Sequence, residues 1–308
     1  MKKILLIIAV LMLFQALNAD KYAGEIFRMG AGVKNYAQGN LGLTDETGNA
    51  LSYWNSALLT EAENNRFEFM HAEEYSGLLK YDTFSAIWGN QEKFSLLITR
   101  IGIDDIPLTK FDESTQRPYK YKSVNNSDIV IYFGIARKFG KIVLGFTPKF
   151  AYRNLAEHSG YGFGADISTY HDFSEKLRIA AKVRDFFTTQ IFWENETHET
   201  VNPGFDLECR YKFIFPILKQ QAKIYLSSEI YTEDRDYAST FSLNIFSLDP
   251  HLGFELPLSR RINFLMGYNV QNLTFGLIFD YRNWQVNYGF ENNAELDNSH
   301  RISIGYTL

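Results

Sequence analysis

The chain has very few of the residues that build metal centres or disulfide frameworks. Its 308 residues include one cysteine, Cys209, and six scattered histidines without metal-ligand spacing. A single cysteine excludes an internal disulfide framework and any multi-cysteine metal site. No run places Ser, His and Asp in the strand-turn-helix setting of an acyl hydrolase. The sequence therefore predicts a protein that is not an enzyme and that holds no metal or cofactor.

Proline, long apolar runs and an excess of basic residues are also scarce. Seven prolines and no low-complexity tract leave little room for a linker, so one domain is expected after the leader. Beyond residue 20 no apolar stretch approaches the roughly 20 residues of a transmembrane helix. Without residues 1–19, 29 basic residues stand against 36 acidic ones, and this mild acidity argues against a nucleic-acid partner.

Residues 1–19 have the organisation of a secretory signal peptide. Lys2 and Lys3 precede an apolar run from Ile4 to Phe14, and small residues follow up to Ala19. Eleven apolar residues are too few to span a bilayer. We expect export and removal of residues 1–19; an uncleaved anchor or a buried strand is the alternative.

Aromatic residues and period-two alternation are what the chain has in abundance. Phe, Trp and Tyr make up 16% of the sequence, which is typical of a barrel with aromatic girdles. After Asn65 the alternation predicts fifteen strands, which turn residues separate. The strands are expected at about 66–75, 78–89, 92–103, 127–138, 141–153, 159–172, 176–188, 204–215, 221–233, 239–247, 249–257, 260–268, 272–281, 283–291 and 299–308.

The expected number of strands is fourteen, because single-chain bacterial barrels use even numbers. The weakest pair, 239–247 and 249–257, is split at Asp249-Pro250 and is expected to be one bent strand or an insertion. Twelve or sixteen strands are the alternatives. The fold class is therefore all-β, a transmembrane antiparallel barrel.

The alternation also separates charged from apolar faces. In 204–213 one face carries Phe205, Leu207, Cys209, Tyr211 and Phe213, and the other carries Asp206, Glu208, Arg210 and Lys212. A lipid-facing charge near the midplane costs about 2–4 kcal/mol, so the charges are expected to face a hydrated, ion-paired lumen. A secreted β-sandwich with a solvated outer face is the alternative, which periodicity alone does not exclude.

The chain ends on an alternating strand. Its order of residues resembles the C-terminal assembly signal of bacterial outer-membrane barrels, with Leu308 in place of the usual Phe. The signal positions are Ser303, Gly305, Tyr306 and Leu308. In a barrel this last strand pairs with the first, near Phe67–Glu74, and no sheet edge remains. The implied partners are membrane lipid and the outer-membrane assembly machinery, and the implied location is the bacterial outer membrane.

Three segments depart from the strand pattern. Residues 20–64 are glycine-rich, with helical turns expected at Glu25–Arg28 and Ala50–Leu59. Long loops are expected at Gly102–Asn126 and Gln190–Pro203. The first of these loops carries the acidic candidates Asp104 and Asp105, which are either Ca²⁺ ligands or solvated loop charges.

Seven short motifs carry a resemblance to a known family. They are Glu25–Gly32, Leu43–Asp45, Ala50–Leu59, Phe69–Tyr75, Asp104–Thr109, Leu273–Gly276 and His300–Ser303. Together they resemble the PorV/PorQ family, whose barrels are related to the FadL fatty-acid transporters. The resemblance implies a barrel of residues 65–308 with a hatch of residues 20–64 in its lumen. It departs at Ser56, where the family has Pro, so a hatch bend that needs Pro is in doubt.

Two functions follow from the resemblance, and it leaves the choice open. The FadL-like branch is associated with passage of hydrophobic small molecules through a hatch rearrangement and a lateral opening. The PorV branch is associated with type IX secretion, where it escorts exported protein cargo at the cell surface. A structural outer-membrane protein without transport is a third alternative.

Five hatch positions are candidates for lining a hydrophobic ligand. They are Tyr53, Trp54, Asn55, Ser56 and Ala57. Tyr53 and Trp54 offer aromatic faces that suit an apolar molecule. The alternative is that they pack the hatch against the barrel wall.

Overall fold

The structure, a computed structural model, describes residues 23–156 and 158–308. The predicted signal peptide, residues 1–19, lies outside the described residues. Within the described ranges, no helix combines the length and the apolar character needed to cross a membrane.

The described residues form one antiparallel sheet of seventeen strands, of which fourteen follow one another around a wall. The wall strands are β1 (Arg66–Glu74), β2 (Leu79–Trp88), β3 (Phe94–Asp112), β4 (Arg117–Phe139), β5 (Ile142–Leu155), β6 (His158–Asp172), β7 (Leu177–Arg184), β10 (Gly204–Ile214), β11 (Gln221–Tyr231), β13 (Phe246–Pro257), β14 (Ile262–Asn269), β15 (Asn272–Tyr281), β16 (Trp284–Asn292) and β17 (Ser299–Thr307). The other three strands are β8 (Thr189–Trp193), β9 (His198–Val201) and β12 (Phe241–Leu243).

The wall closes because the last strand pairs with the first. β17 is antiparallel to β1 in a register that runs from Arg66 opposite Thr307 to Glu73 opposite His300. Every wall strand thus has two neighbours, and the backbone has no open edge. The expected closed barrel of fourteen strands is confirmed. We call the end where β1 stops and β17 starts the outer end.

The surplus among the fifteen predicted strands lies at the pair that the sequence analysis found weakest. β13 runs from Phe246 through Pro250 to Pro257 as one strand, and the short β12 folds back against its first residues. The predicted runs 239–247 and 249–257 are therefore one wall strand with an added hairpin arm.

Both predicted long loops are wrong, because strand pairing continues through them. β3 and β4 form a two-stranded ribbon beyond the wall, up to the pair Asp112–Arg117. Pro107 and Pro118 are compatible with it because neither strand of the ribbon has a second neighbour there that would need a proline N–H. Within 190–203, β8 and β9 pair as a hairpin.

The outer face of the wall is apolar, and buried charges face inwards, as the alternation predicted. On β15, Leu273, Leu277 and Phe279 are exposed, whereas Thr274 and Ile278 are buried. On β10 the charged residues Asp206, Glu208 and Arg210 are buried. A continuous exposed apolar band suits the hydrocarbon core of a bilayer and excludes the sandwich alternative.

The last residues complete the closure. The Leu308 amide donates a hydrogen bond to the Asn65 carbonyl at 2.8 Å, so the chain end is tied to the residue before β1. The Tyr306 ring packs between Phe67 on β1 and Trp284 on β16, at centroid distances of 5.8 and 4.7 Å. The Ser303 hydroxyl accepts a bond from the Asn287 amide at 2.9 Å, and Gly305 lies opposite Glu68 in the register. Their role as an assembly signal stays a prediction.

We expect Leu308→Asp to lower the amount of folded protein in the membrane, because it puts a carboxylate on the exposed apolar side of the closing strand. The measurement is heat-modifiable migration of membrane fractions in gels. Leu296→Asp, an exposed leucine in the turn before β17, is the matched control. Normal membrane levels of the Leu308 variant would contradict the assembly role.

Candidate functional site in the barrel lumen

Residues 23–64, here called the lumen segment, lie inside the ring of strands. The segment contains the helices α1 (Val33–Ala37) and α2 (Leu51–Trp54) and two 3₁₀ turns, Glu25–Phe27 and Ser56–Glu61. It bonds to β3, β10 and β15, which are far apart around the wall. Only a position across the lumen allows all three contacts. That the segment is a movable hatch stays a prediction.

Close backbone approach at wall glycines seats the lumen segment. A Cβ added at Gly145 on β5 would lie 2.2 Å from the Ala57 nitrogen, and one at Gly267 on β14 would lie 2.1 Å from the Gly39 nitrogen. No side chain fits in such a gap, so these positions require glycine. The segment is in van der Waals contact with the wall on two sides.

The main polar anchor of the lumen segment is the Glu208 carboxylate on β10. It accepts hydrogen bonds from three consecutive backbone amides, those of Gly42, Leu43 and Thr44, at 2.9–3.0 Å, and from the Thr44 hydroxyl. Successive amides that converge on one carboxylate form an anion-binding nest. Here the anion belongs to the wall and the nest to the lumen segment, so the contact holds the two together.

A second anchor joins Glu46 to two arginines of the wall. Arg178 on β7 and Arg210 on β10 lie directly opposite each other in the register. Glu46 pairs with both, at 3.1 Å from Arg178 and in very close contact with Arg210. Burial and the neighbouring Asp45 would raise the pKa of the Glu46 carboxyl, but Arg210 holds it below its ordinary value. Glu46 thus stays ionised and lies between two like charges that would otherwise repel, and Arg178 pairs in addition with Asp172 at 2.6 Å.

Buried ion pairs continue along this side of the lumen. Lys34 of α1 lies 2.9 Å from Asp45 and 3.3 Å from Glu255 on β13, which also pairs with Lys223 on β11. Burial alone would raise the pKa of Asp45, but the charge of Lys34 holds it well below its usual range. We call the lumen surface along β7 and β10–β13 the ion-paired side.

The opposite surface of the lumen carries a large apolar cluster. This buried cluster joins the lumen segment to β1–β5 and to the hairpin of β8 and β9. Its members outside the lumen segment are Met70, Ala72, Tyr81, Leu97, Ile101, Val130, Tyr132, Ala151, Ile191 and Val201. The same surface, here called the apolar side, also holds ion pairs, among them Arg153 with Asp128 and Lys149 with Asp166. The lumen segment thus lies between the ion-paired side and a surface on which the apolar cluster is the largest feature.

Two of the predicted ligand-lining residues, Tyr53 and Trp54, belong to this cluster. The Tyr53 ring packs edge-on against Trp54 and Tyr132 at 4.9 and 5.5 Å. Its hydroxyl accepts a bond from the Gly30 amide at 3.0 Å, and the Trp54 indole donates to the Ala31 carbonyl at 2.7 Å. Both rings thus pack the segment onto the apolar wall; contact with a ligand stays a prediction.

The other three predicted residues form the turn that follows α2. The Asn55 side chain caps the 3₁₀ turn by accepting from the Ala57 amide at 3.0 Å, and donates to the Leu43 carbonyl at 2.7 Å. The Ser56 hydroxyl lies 2.6 Å from that of Thr147 on β5. Ser56 thus adds a hydrogen bond to the wall.

Ser56 contacts the wall where its ladder is interrupted. Pairing between β4 and β5 stops at Tyr132–Lys149 and resumes in the same register at Ile135–Phe146. The skipped residues, Phe133, Gly134, Thr147 and Pro148, are called the seam. Pro148 has no N–H to donate to β4, which accounts for the interruption. Ser56 therefore lies behind an interruption of the wall's hydrogen-bond ladder.

The acidic candidates Asp104 and Asp105 lie in β3, not in a loop. Asp104 pairs with Lys80 at 2.8 Å, and the Asp105 amide donates to the Asn125 side chain at 3.0 Å. Among the described residues no group of three His, Cys, Asp or Glu side chains is placed to hold a metal ion. The structure brings no further carboxylate to this pair.

A polar cavity at the outer end was not predicted. It has a volume of about 220 Å³ and is called the outer cavity. It is lined by Glu25, Arg28, Met29, Tyr36, Asn40, Glu74, Tyr75, Glu229, Tyr231, Arg235, Ala238, Asp249, His251, Asn269, Val270, Glu291 and Arg301. These residues come from the lumen segment, from six wall strands and from the loops next to them, so no local pattern in the sequence joins them.

We expect Glu208→Ala to loosen the lumen segment, because three buried amides would lose their acceptor, at a cost of about 1–3 kcal/mol for each buried group left unsatisfied. The measurement is leakage of small solutes from liposomes that contain the protein, which should increase. Glu73→Ala, on the exposed outer face of β1, is the control and should leave leakage unchanged. Equal leakage from both variants would contradict the anchoring role.

Comparison with known proteins identifies the fold. No protein-family model and no curated protein sequence matches the chain. The toluene transporter TbuX of Ralstonia pickettii is similar in structure, with a TM-score of 0.57 at 10% identity over 90% of this chain and 98% of that one. The toluene transporter TodX of Pseudomonas putida has a TM-score of 0.53 at 9% identity, over 90% and 96% of the chains. A FadL homologue of Pseudomonas aeruginosa has a TM-score of 0.51 at 6% identity, over 90% of this chain and 98% of that one. The chain thus has the barrel fold of these FadL-like proteins.

Proposed function

We propose that the protein is an outer-membrane transport barrel in which small hydrophobic molecules pass along the apolar side of the lumen when the lumen segment moves as a hatch. The observation that carries this proposal is the large apolar cluster that joins the lumen segment to β1–β5, on the side opposite its ion-paired anchors. The toluene transporters TbuX and TodX, which share the fold, support it.

The two halves differ in what it costs to open them. When apolar side chains separate, an apolar solute can take the place of the lost contacts. Burial of its surface contributes a favourable free energy of about 25 cal/mol for each Å² removed from water. On the ion-paired side the same separation would leave buried charges such as Arg178 and Arg210 without their partner Glu46. A moving segment is therefore expected to turn about its ion-paired anchors and open on the apolar side.

The seam offers an exit from the apolar side towards lipid. There the two wall strands lack ladder pairing, and the hydroxyl contact of Ser56 with Thr147 covers the gap from inside. Movement of the lumen segment would uncover it. The location in the outer membrane is inferred from the apolar belt and from the long β3–β4 ribbon, since long excursions of such barrels lie on the outer side.

We expect a reversible cross-link between the segment and the wall to stop passage. The hydroxyls of Ser56 and Thr147 are 2.6 Å apart, so Ser56→Cys with Thr147→Cys should form a disulfide outside the cytoplasm. Uptake of radiolabelled toluene by proteoliposomes should fall in the oxidised protein and recover after reduction. All variants also carry Cys209→Ser, so that the native cysteine cannot pair with the introduced ones.

The controls for this experiment are the single Thr147→Cys variant and the unlinked background, each with and without reductant. Toluene uptake by these two proteins should be the same with and without reductant. Equal uptake by the oxidised and the reduced double variant would contradict a route that needs the segment to move. Absence of toluene uptake by the unlinked protein would contradict hydrophobic transport itself.

The second candidate function is the PorV/PorQ role in type IX secretion, which the β3–β4 ribbon favours. Its paired residues beyond the wall, Ile106–Asp112 and Arg117–Val124, extend roughly 20 Å at 3.3 Å per residue. Phe111, Tyr119 and Tyr121 are exposed on it. A projecting ribbon with exposed aromatic rings is suited to hold a protein at the cell surface.

Replacing residues 106–124 with a short turn separates the two candidates. Loss of surface-exported proteins with unchanged toluene uptake would support the secretion role. Unchanged export from cells that carry the shortened protein would contradict it. The shortened wall keeps its pairing up to Gly102 on β3 and Asn126 on β4, so the barrel itself should fold.

A further inference from the structure

The outer cavity contains charges that serve no purpose in the passage of an apolar molecule. Its arginines are already neutralised by carboxylates. Arg301 lies 2.6 Å from Glu74, and Arg28 lies 2.8 Å from both Glu25 and Glu233. Arg235 lies 3.0 Å from Glu25, so these three arginines face three carboxylates. The lining arginines therefore contribute no spare positive charge of their own to the cavity.

Two further carboxylates of the lining are held only by neutral donors. Asp249 on β13 accepts from the Thr240 amide at 2.6 Å, and Glu291 on β16 accepts from the side-chain amides of Asn269 and Asn272 at 3.1 and 3.0 Å. Within the described part of the chain neither carboxylate has a cation within ion-pair distance. Both are buried, so the cavity wall has a local excess of negative charge.

His251 adds an acceptor that lacks a donor. Its Nδ1 lies 3.0 Å from the Gly39 carbonyl, which accepts hydrogen bonds and cannot donate them. Nδ1 therefore carries the proton, and Nε2 of the neutral ring is an acceptor. Nε2 is buried and has no hydrogen-bond partner among the described residues, and it lies 3.8 Å from the Glu229 carboxylate. A donor from a bound solute would satisfy this nitrogen.

We propose that the outer cavity binds the protonated amine of a small organic solute. An ammonium group has three N–H donors and one positive charge. It would supply a donor to Nε2 of His251 and a positive charge to the part of the wall that holds Asp249 and Glu291. A neutral sugar would supply donors and leave the negative charges uncompensated. This site is independent of the apolar route proposed above, because it is polar and lies at the outer end of the lumen.

The test is calorimetric titration of the full-length barrel in neutral detergent with 1,4-diaminobutane. We expect saturable binding to the wild type, and affinity that falls about tenfold or more, or 1.4 kcal/mol, in Asp249→Asn and in Glu291→Gln. Glu73→Gln is the matched control, because it removes a carboxylate from the outer face of β1, away from the cavity. It should bind like the wild type.

Folding of each variant is checked by heat-modifiable migration, and Asp249→Glu, which keeps the charge, should retain more affinity than Asp249→Asn. Three results would overturn the proposal. They are the absence of saturable binding to the wild type, an affinity of the double variant Asp249→Asn with Glu291→Gln that equals that of the wild type, and tighter binding of Mg²⁺ that displaces the amine. Toluene uptake by the same proteins reports separately on the transport proposal, so failure of one is distinguishable from failure of the other.

Discussion

The constraint on which the structure depends is that a backbone inside a bilayer finds no water to bond. Each N–H and C=O at that depth needs a partner within the protein, and a sheet meets this need only if it closes. The pairing of β17 with β1, from Arg66–Thr307 to Glu73–His300, provides the closure. It also encloses a lumen, so that every second residue of each strand faces inwards.

The enclosed lumen creates a second requirement, because inward charges are cut off from bulk water. The lumen segment meets this requirement on one side by placing Glu46 between Arg178 and Arg210 and a nest of amides around Glu208. On the other side it packs Tyr53 and Trp54 onto apolar wall residues. The same segment thus stabilises the wall and creates the chemical asymmetry on which the proposed route depends.

Much of the fold could be predicted from alternation alone. The apolar and charged faces of 204–213 and the doubtful pair around Pro250 are as expected. The ribbon beyond Gly102 was missed because Pro107 and Pro118 are turn residues in sequence terms, although both tolerate strand positions that have no second neighbour. The five-residue helix α1 was missed because it is too short for a helical period to show.

For the candidate site, the sequence determined the types of side chain and the face of each strand on which they lie, because strand geometry alternates with a period of two. It placed Tyr53 and Trp54 in the segment preceding the wall, but not whether they meet a ligand. Only the tertiary structure decided that Glu208 meets Gly42–Thr44, since these groups are brought together by closure of the barrel around a separate segment. The register between β11 and β13, which places His251 beside Glu229, was likewise decided by the structure. Contacts between residues so distant along the chain leave no periodic trace in the sequence.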